Sequence, residues 1–335
     1  MSKKLRVGIV GCGGIAGAHL RGYAADENVA VVVVYDKAAR ATAAFAKQCG
    51  ADVAQSTEEM IKKHRLDAVS VCSPPAAHLE NCRPFIDAAI PILCEKPIEV
   101  NAQSAAALAK LVRESGALFM PAFCHRFHPA VIELKKLIRE GVLGEPLLFR
   151  NIFGGYNEIA DNHRADPKLS GGGPLIDHCC HSVDLFRFLV GDPTYVQAIA
   201  GNIMQDLQIE DFGMFHLSVA DRSFGEVTGS YSLKGCGNSV EWYGTKGCAV
   251  VSYFSADYPD LSYIVGGADK RIEVDCAAHP DRFVAEIGHF LGCVRKQQTP
   301  ALTVEDGLKA NQIVAALYES ISRGARTAVD YRVAG

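Results

Sequence analysis

The sequence has no apolar run that approaches membrane-spanning length, which takes about 20 residues; its longest candidate, Val29 to Tyr35, reads as a buried strand. It also lacks an excess of either charge. Lysine and arginine number 34, aspartate and glutamate 38, and the formal net charge is −4. No basic stripe is offered to nucleic acid, and anionic substrates are not specially invited. The opening MSKKLRVGIVG runs straight into a strand, without the apolar stretch and small-residue cleavage site of a secretory signal. A cytoplasmic location is expected. The 12 cysteines have no disulfide-framework spacing, so they are expected as reduced thiols, mostly filling cores. Internal repeats and low-complexity linkers are lacking too.

What is present is material for two packed domains: 335 residues, 49% of them hydrophobic. The first third alternates short apolar runs with helical patterns. Strands are predicted over Leu5–Val10, Val29–Asp36, Asp67–Cys72, Ile90–Glu95 and Ala117–Pro121. Helices are predicted over Gly17–Ala25, Ala38–Cys49, Thr57–Lys63, His78–Ala89 and Ala102–Ser115. Repeated βα units predict a doubly wound parallel sheet of Rossmann type. After about Phe123 the texture changes. A helix is expected over Pro129–Glu140 and a last one over Val304–Arg323. Between them, Val227, Gly229, Tyr231 and Leu233 alternate with Glu226, Thr228, Ser230 and Ser232, and Gly244 to Gly247 makes a turn. This predicts an α+β domain with a large, mostly antiparallel open sheet. The division is placed at residues 1–122, for dinucleotide binding, and 123–335, for substrate binding and oligomerisation.

Gly11-Cys12-Gly13-Gly14-Ile15-Ala16 follows the first strand and opens the first helix, fitting G-x-G-x-x-A. Gly11 suits the tight turn, Gly13 lets the backbone approach a pyrophosphate, and the small Ala16 lets helix and strand pack closely. The helix N-terminus supplies N–H groups for the phosphates. Asp36 closes the second strand at the fingerprint's spacing and can accept from the ribose hydroxyls. A carboxylate there repels a 2′-phosphate, so NAD is expected. Lys37 and Arg40 lie near enough to soften that repulsion, and NADP stays open.

With Glu95-Lys96-Pro97 added to the glycine turn, the chain resembles the Gfo/Idh/MocA oxidoreductases, the family of glucose–fructose oxidoreductase and the inositol dehydrogenases. GCGGIA (11–16), CSPPAAH (72–78), CEKP (94–97), HRFHP (125–129), GGGPLIDHCCH (171–181) and ESISRG (319–324) carry the likeness over nearly the whole chain. The resemblance implies a hydride transfer between NAD(P) and a hydroxyl-bearing carbon of a sugar or cyclitol. It implies Lys96, Asp177 and His181 as catalytic residues, Ser73, Pro74, His78 and Glu95 beside the cofactor, and a cis peptide before Pro97. Arg126, expected to bind substrate, stands where many members carry an arginine, whereas His125 and His128 are less typical neighbours. A homodimer or homotetramer built on the open sheet is also implied.

On their own terms, Asp177 and His181 are four apart and share one face if Leu175–Leu189 is one helix. Alcohol oxidation needs a base for the hydroxyl proton, and histidine titrates near neutrality. Asp177 can orient the imidazole or bind a neighbouring hydroxyl. Lys96 ends a strand at the carboxyl edge of the parallel sheet, where ligands bind in such folds, and can hydrogen-bond a developing alkoxide. Asn157 and Arg164 precede the triple glycine as candidates for substrate hydroxyls. His19 reads as a helix-face residue. The cluster His178-Cys179-Cys180-His181 lacks metal-ligand spacing, so no metal is expected. Two other readings stay open: an NAD-assisted glycosidase or epimerase-type enzyme with transient oxidation, and a non-catalytic NAD-binding regulator.

Overall fold

The computed structural model describes residues 4–253, 260–267, 271–276 and 279–332. They fall into two compact units. The first holds the chain through Cys124 and again Asp281–Leu308; the second holds His125–Pro280 and the chain from Lys309. Among the described residues no helix is long and apolar enough to cross a membrane.

In the first unit the chain runs β1 (Leu5–Val10), α1 (Gly14–Ala24), β2 (Val29–Tyr35), α2 (Ala39–Cys49), β3 (Asp52–Val53), α3 (Thr57–His64), β4 (Ala68–Val71), α4 (His78–Asp87), β5 (Ile92–Glu95), α5 (Ala102–Ser115) and β6 (Phe119–Ala122). The strands form one parallel sheet in the order β3-β2-β1-β4-β5-β6, the Rossmann arrangement. Every residue of β4, β5 and β6 is buried, as expected where helices cover both faces. Val10 is in register with Tyr35 on one side and Val71 on the other. The carboxyl ends of β1, β2 and β4 therefore lie level, and the loops that follow them emerge together. Ser56 and Asn101 cap α3 and α5 by accepting from Glu59 N and Ser104 N, and left-handed Gly50 and Gly116 stop α2 and α5.

The second unit contains α6 (Pro129–Arg139), β7 (Pro146–Gly154), α7 (Pro167–Ser170), α8 (Pro174–Asp177), α9 (Cys179–Leu189) and β8 to β14. The last seven are Tyr195–Gly201, Phe212–Val219, Ser223–Ser230, Asn238–Gly244, Gly247–Tyr253, Leu261–Val265 and Ile272–Val274. After helices α10 (Arg282–Val294) and α11 (Val304–Arg323) comes β15 (Thr327–Ala328). The nine-stranded sheet is ordered β14-β13-β12-β11-β7-β10-β9-β8-β15. The β7–β10 pair is parallel and the other neighbours are antiparallel. The expected alternation holds through Gly229 in β10, where Gly225, Val227 and Gly229 are buried and Phe224, Glu226 and Thr228 are less so, but it ends there: Ser230 and Ser232, expected on the outer face, are buried beside Tyr231.

The condition for a shared face, one helix over Leu175–Leu189, is not met: the segment is two pieces, α8 and α9, that meet at His178. The first piece is only a turn and the join is tightened by the His181 N–H donating to His178 O. The expected boundary at residues 122 and 123 falls two residues later, and Asp281–Leu308 returns to the first unit. There α10 packs along α1, and Arg295 Nη2 lies 2.7 Å from Asp26 Oδ2. An amphipathic helix carries no mark of which sheet it will cover, so periodicity alone does not reveal such a return.

The α8–α9 segment sits tightly on β10. A Cβ at Gly229 would lie 2.2 Å from Cys179 Sγ, and Cys179 is fully buried. Gly229→Ala is therefore expected to destabilise the protein by about 1–3 kcal/mol in urea unfolding. Cys179→Ala opens the space that the new methyl needs, so the double variant should lose less than the two single losses together. Strict additivity would show that this contact does not set the helix position.

Candidate functional site

The turn after β1 is built for close backbone approach. Gly11 has φ +88°, and a Cβ on it would lie 2.5 Å from the backbone of Cys72 and Ser73, at the end of β4. Gly13 and Gly14 are exposed, and a Cβ on either meets nothing within 4 Å. Ala16 is fully buried beneath them. Helix α1 begins with no side-chain cap and no acidic residue in its first turn. Its N-terminal dipole thus faces open space beside bare backbone, an arrangement that fits a pyrophosphate.

Asp36 Oδ2 accepts from Cys12 N at 2.8 Å and Oδ1 from Ala38 N at 2.8 Å. Each oxygen keeps acceptor capacity, and the rotamer is set by two backbone bonds. Burial, with Asp36 adding to it, pushes the Cys12 thiol up to about 12, so it stays un-ionised in the phosphate turn. Lys37 is exposed and its Nζ is 3.4 Å from Glu80 Oε2, while Arg40 is also exposed.

At the end of β5, the Lys96–Pro97 peptide is cis. Lys96 is half-buried and its N–H donates to Glu95 Oε2 at 3.2 Å. Ser73 and Pro74 are half-buried in the turn after β4. His78 lies beneath that turn, fully buried, with Nε2 2.8 Å from Ser73 O and Nδ1 3.2 Å from Ile98 O. Burial lowers its pKa against the pull of those carbonyls. It holds the Ser73 turn and the chain after Pro97 together.

In the second unit, Asp177 is the hub. Its Oδ2 accepts from Tyr231 Oη at 2.8 Å and lies 3.0 Å from Arg164 Nε and 3.8 Å from His178 Nε2. Burial and the Asp177 charge together drive the Tyr231 hydroxyl well above its ordinary pKa, so it remains a donor. The His178 ring stands edge-on to Tyr231 at 4.8 Å and to Phe153 at 5.1 Å. His181 is 4.4 Å from the His125 ring, centroid to centroid, and 5.8 Å from Phe153. His163, one residue before Arg164, has its pKa lowered by burial and by that arginine.

The triple glycine positions this cluster. A Cβ on Gly172 would lie 2.0 Å from Tyr318 Oη, and one on Gly173 would lie 1.9 Å from Glu210 O. The Glu210 carboxylate accepts from Gly173 N at 3.0 Å, Leu175 N at 3.2 Å and Tyr318 Oη at 2.9 Å, so it caps α8. Burial raises the Glu210 pKa. Behind Tyr231, Asp211 accepts from Ile203 N, Met204 N, Gln205 N and Ser232 Oγ, while Asp211 O accepts from Tyr231 N.

The predicted residues thus divide between the units. Gly11 to Ala16, Asp36, Lys37, Ser73, Pro74, His78, Glu95 and Lys96 belong to the first, and Arg126, Asn157, Arg164, Asp177 and His181 to the second. Arg164 meets Asp177 directly. Asn157 is exposed on the chain that follows β7, its N–H donating to Tyr231 O at 2.8 Å. Arg126 is gripped by Asp184, with Nε–Oδ2 2.7 Å and Nη2–Oδ1 2.6 Å. Sequence reasoning did not single out Tyr231 as a partner of Asp177, nor His19 as more than a helix-face residue. His19 had a signal: it shares the buried side of α1 with Ala16 and Tyr23, and a polar residue in an apolar stripe asks for a buried partner.

Comparison with known proteins shows the family and the fold. Residues 5–123 match the family model described as "Oxidoreductase family, NAD-binding Rossmann fold", and residues 131–250 match the GFO/IDH/MocA C-terminal domain. An inositol 2-dehydrogenase of Rubrobacter xylanophilus is 25% identical over 337 residues, covering 98% of this chain and 94% of that one. A D-xylose 1-dehydrogenase (NADP(+)) of Haloferax volcanii is 26% identical, covering 96% of this chain and 99% of the other. Among solved structures, levoglucosan dehydrogenase in complex with NADH and levoglucosan has the same fold, with a TM-score of 0.90 at 21% identity over 98% of this chain and all (100%) of that one. The chain belongs to the GFO/IDH/MocA family of oxidoreductases, and its first unit is that family's NAD-binding Rossmann fold.

Proposed function

We propose that the protein is an NAD(P)-dependent dehydrogenase acting on a hydroxyl-bearing carbon of a sugar or cyclitol. The observation that carries this reading is the Asp177 cluster. A carboxylate held by a buried tyrosine hydroxyl and an arginine, on a segment shared with His181, offers several directed polar groups, which suits a polyhydroxylated substrate better than an apolar alcohol. The bare glycine turn and the fixed Asp36 suit a dinucleotide. The inositol, xylose and levoglucosan dehydrogenases named above support the substrate class.

Bound NAD supplies the acceptor for the two electrons and hydrogen leaving the carbinol carbon. Gly11, Gly13, Gly14 and Ile15 would hold its pyrophosphate, Asp36 with Lys37 the adenosine ribose, and Ser73 and Pro74 the far end; Ala16, His78 and Glu95, expected beside the cofactor, are buried and support these segments from behind. His181 takes the proton of the hydroxyl being oxidised. Lys96 hydrogen-bonds a substrate oxygen as negative charge develops on it. Asp177 orients a neighbouring hydroxyl, with Tyr231 keeping its carboxylate in one rotamer, and Asn157 and Arg164 bind further hydroxyls. Arg126, engaged by Asp184, frames this region by holding the chain before α6 to α9.

The same reading includes self-association of identical chains through the outer face of the nine-stranded sheet. Tyr195, Ile199, Ile152 and Phe224 are exposed there, at 39, 66, 37 and 48%. Light scattering is expected to give a dimer or tetramer, and a monomer at all concentrations would remove this part.

The central test is absorbance of reduced cofactor with myo-inositol, D-xylose, D-glucose and levoglucosan, each with NAD and NADP. Turnover with at least one is expected; no reduced cofactor across the panel would overturn the dehydrogenase reading. Lys96→Met and His181→Ala should each lower kcat by about 100-fold or more, and near wild-type rates in both would refute their roles. Asp36→Ser should raise KM for NAD about tenfold or more while improving use of NADP, because it removes charge-assisted bonds and a repulsion together. Tyr231→Phe should cost about tenfold in kcat/KM, the effect of losing one hydrogen bond to a charged group.

A further inference from the structure

Helix α1 turns polar groups toward the sheet where apolar ones would pack more cheaply. His19 is fully buried, with Nδ1 2.9 Å from Ser70 Oγ on β4 and Nε2 2.9 Å from Glu95 Oε1 at the end of β5. One turn further along α1, Tyr23 Oη lies 2.6 Å from the same Ser70 Oγ. The other oxygen of Glu95 accepts from Lys96 N at 3.2 Å. His19, Tyr23, Ser70 and Glu95 are all buried. Withdrawing these groups from water is unfavourable unless every one is met.

One assignment of protons meets them all. The Tyr23 hydroxyl donates to Ser70 Oγ, the Ser70 hydroxyl to His19 Nδ1, His19 Nε2–H to Glu95 Oε1, and the Lys96 N–H to Glu95 Oε2. The chain of donors runs one way and ends on a carboxylate. Ser70 and His19 resemble part of a nucleophilic triad, but neither is accessible to a substrate, so the network has no hydrolytic use. Its end point is the backbone of Lys96.

We propose that His19 and Glu95 are positioning residues for Lys96. The N-terminus of α1 faces the place where the dinucleotide's pyrophosphate fits, and the inward side of the same helix clamps the peptide that carries the lysine. One rigid helix thereby registers cofactor and lysine against each other. This rests on the reading of Lys96 as the group that meets the substrate oxygen.

The test compares His19→Leu, which keeps volume and removes both bonds, with His19→Gln, whose amide N–H can still reach Glu95. Two readouts are taken on the full-length protein: steady-state kinetics with the best substrate of the panel, and acylation of Lys96 by acetic anhydride followed by mass spectrometry. His19→Leu is expected to lower kcat about 10- to 100-fold with KM for NAD within about threefold of wild type, the size of effect a lost bond to a charged group gives. It should also speed acylation of Lys96 about fivefold, as a locally loosened segment would. His19→Gln should recover most of both.

A purely structural role would lower stability in both variants without splitting kcat from KM. Wild-type kcat and labelling in His19→Leu would overturn the proposal, as would equal impairment of the two variants. If His19→Leu does not fold, Glu95→Gln decides by the same readouts, with wild-type values counting against the proposal. Should Lys96→Met retain full turnover, the role of Lys96 falls, while the labelling arm still judges whether His19 and Glu95 hold it.

Discussion

A carboxylate taken out of water must be met by donors or lose several kcal/mol, and this protein places its working elements by meeting such groups. Asp177 is met by Tyr231 and Arg164. Glu210 is met by the first backbone N–H groups of the α8 turn and by Tyr318. Glu95 is met by His19 and the Lys96 backbone, and Asp184 by Arg126. Except for the bond from the adjacent Lys96 N–H, each contact joins separate segments of the chain. A polar partner has direction as well as strength, so it fixes where a side chain points, which hydrophobic burial alone does not do.

Glycine supplies the complementary half of this construction. At Gly11 a turn presses against the end of β4, and at Gly172 and Gly173 a loop presses against Tyr318 and Glu210. At Gly229 a strand lets α9 settle on the sheet. In each case a missing side chain brings backbone close enough for a directed bond or tight packing. The glycine clusters of the two units thus differ in purpose. The first leaves space outside the protein for a ligand, and the second removes space within it.

Much of the first unit was legible because its signals are local. Leu5–Val10 and Ala102–Ser115 fall where periodicity predicts them, and Asp36 sits at the spacing of the fingerprint. The site of the second unit was legible only as residue types. Asp177 and His181 share a face only if Leu175–Leu189 is one helix, whereas the helix is divided at His178. Tyr231 lies 54 positions from Asp177 and Arg126 lies 58 from Asp184. No periodicity spans such distances, and a tyrosine at the end of a strand pattern looks like any core tyrosine.

By itself the amino-acid order determined the βα alternation, the glycine turn that opens α1, the change of texture near Phe123 and the family. These follow from side-chain pattern and backbone preference within a few residues of one another. The tertiary structure decided which groups are partners: His19 with Glu95, Tyr231 and Arg164 with Asp177, Arg126 with Asp184. It also decided that Asp281–Leu308 returns to the first unit. Partnership depends on two segments arriving at the same place with complementary donors and acceptors, and that is a property of the folded chain rather than of any stretch of it.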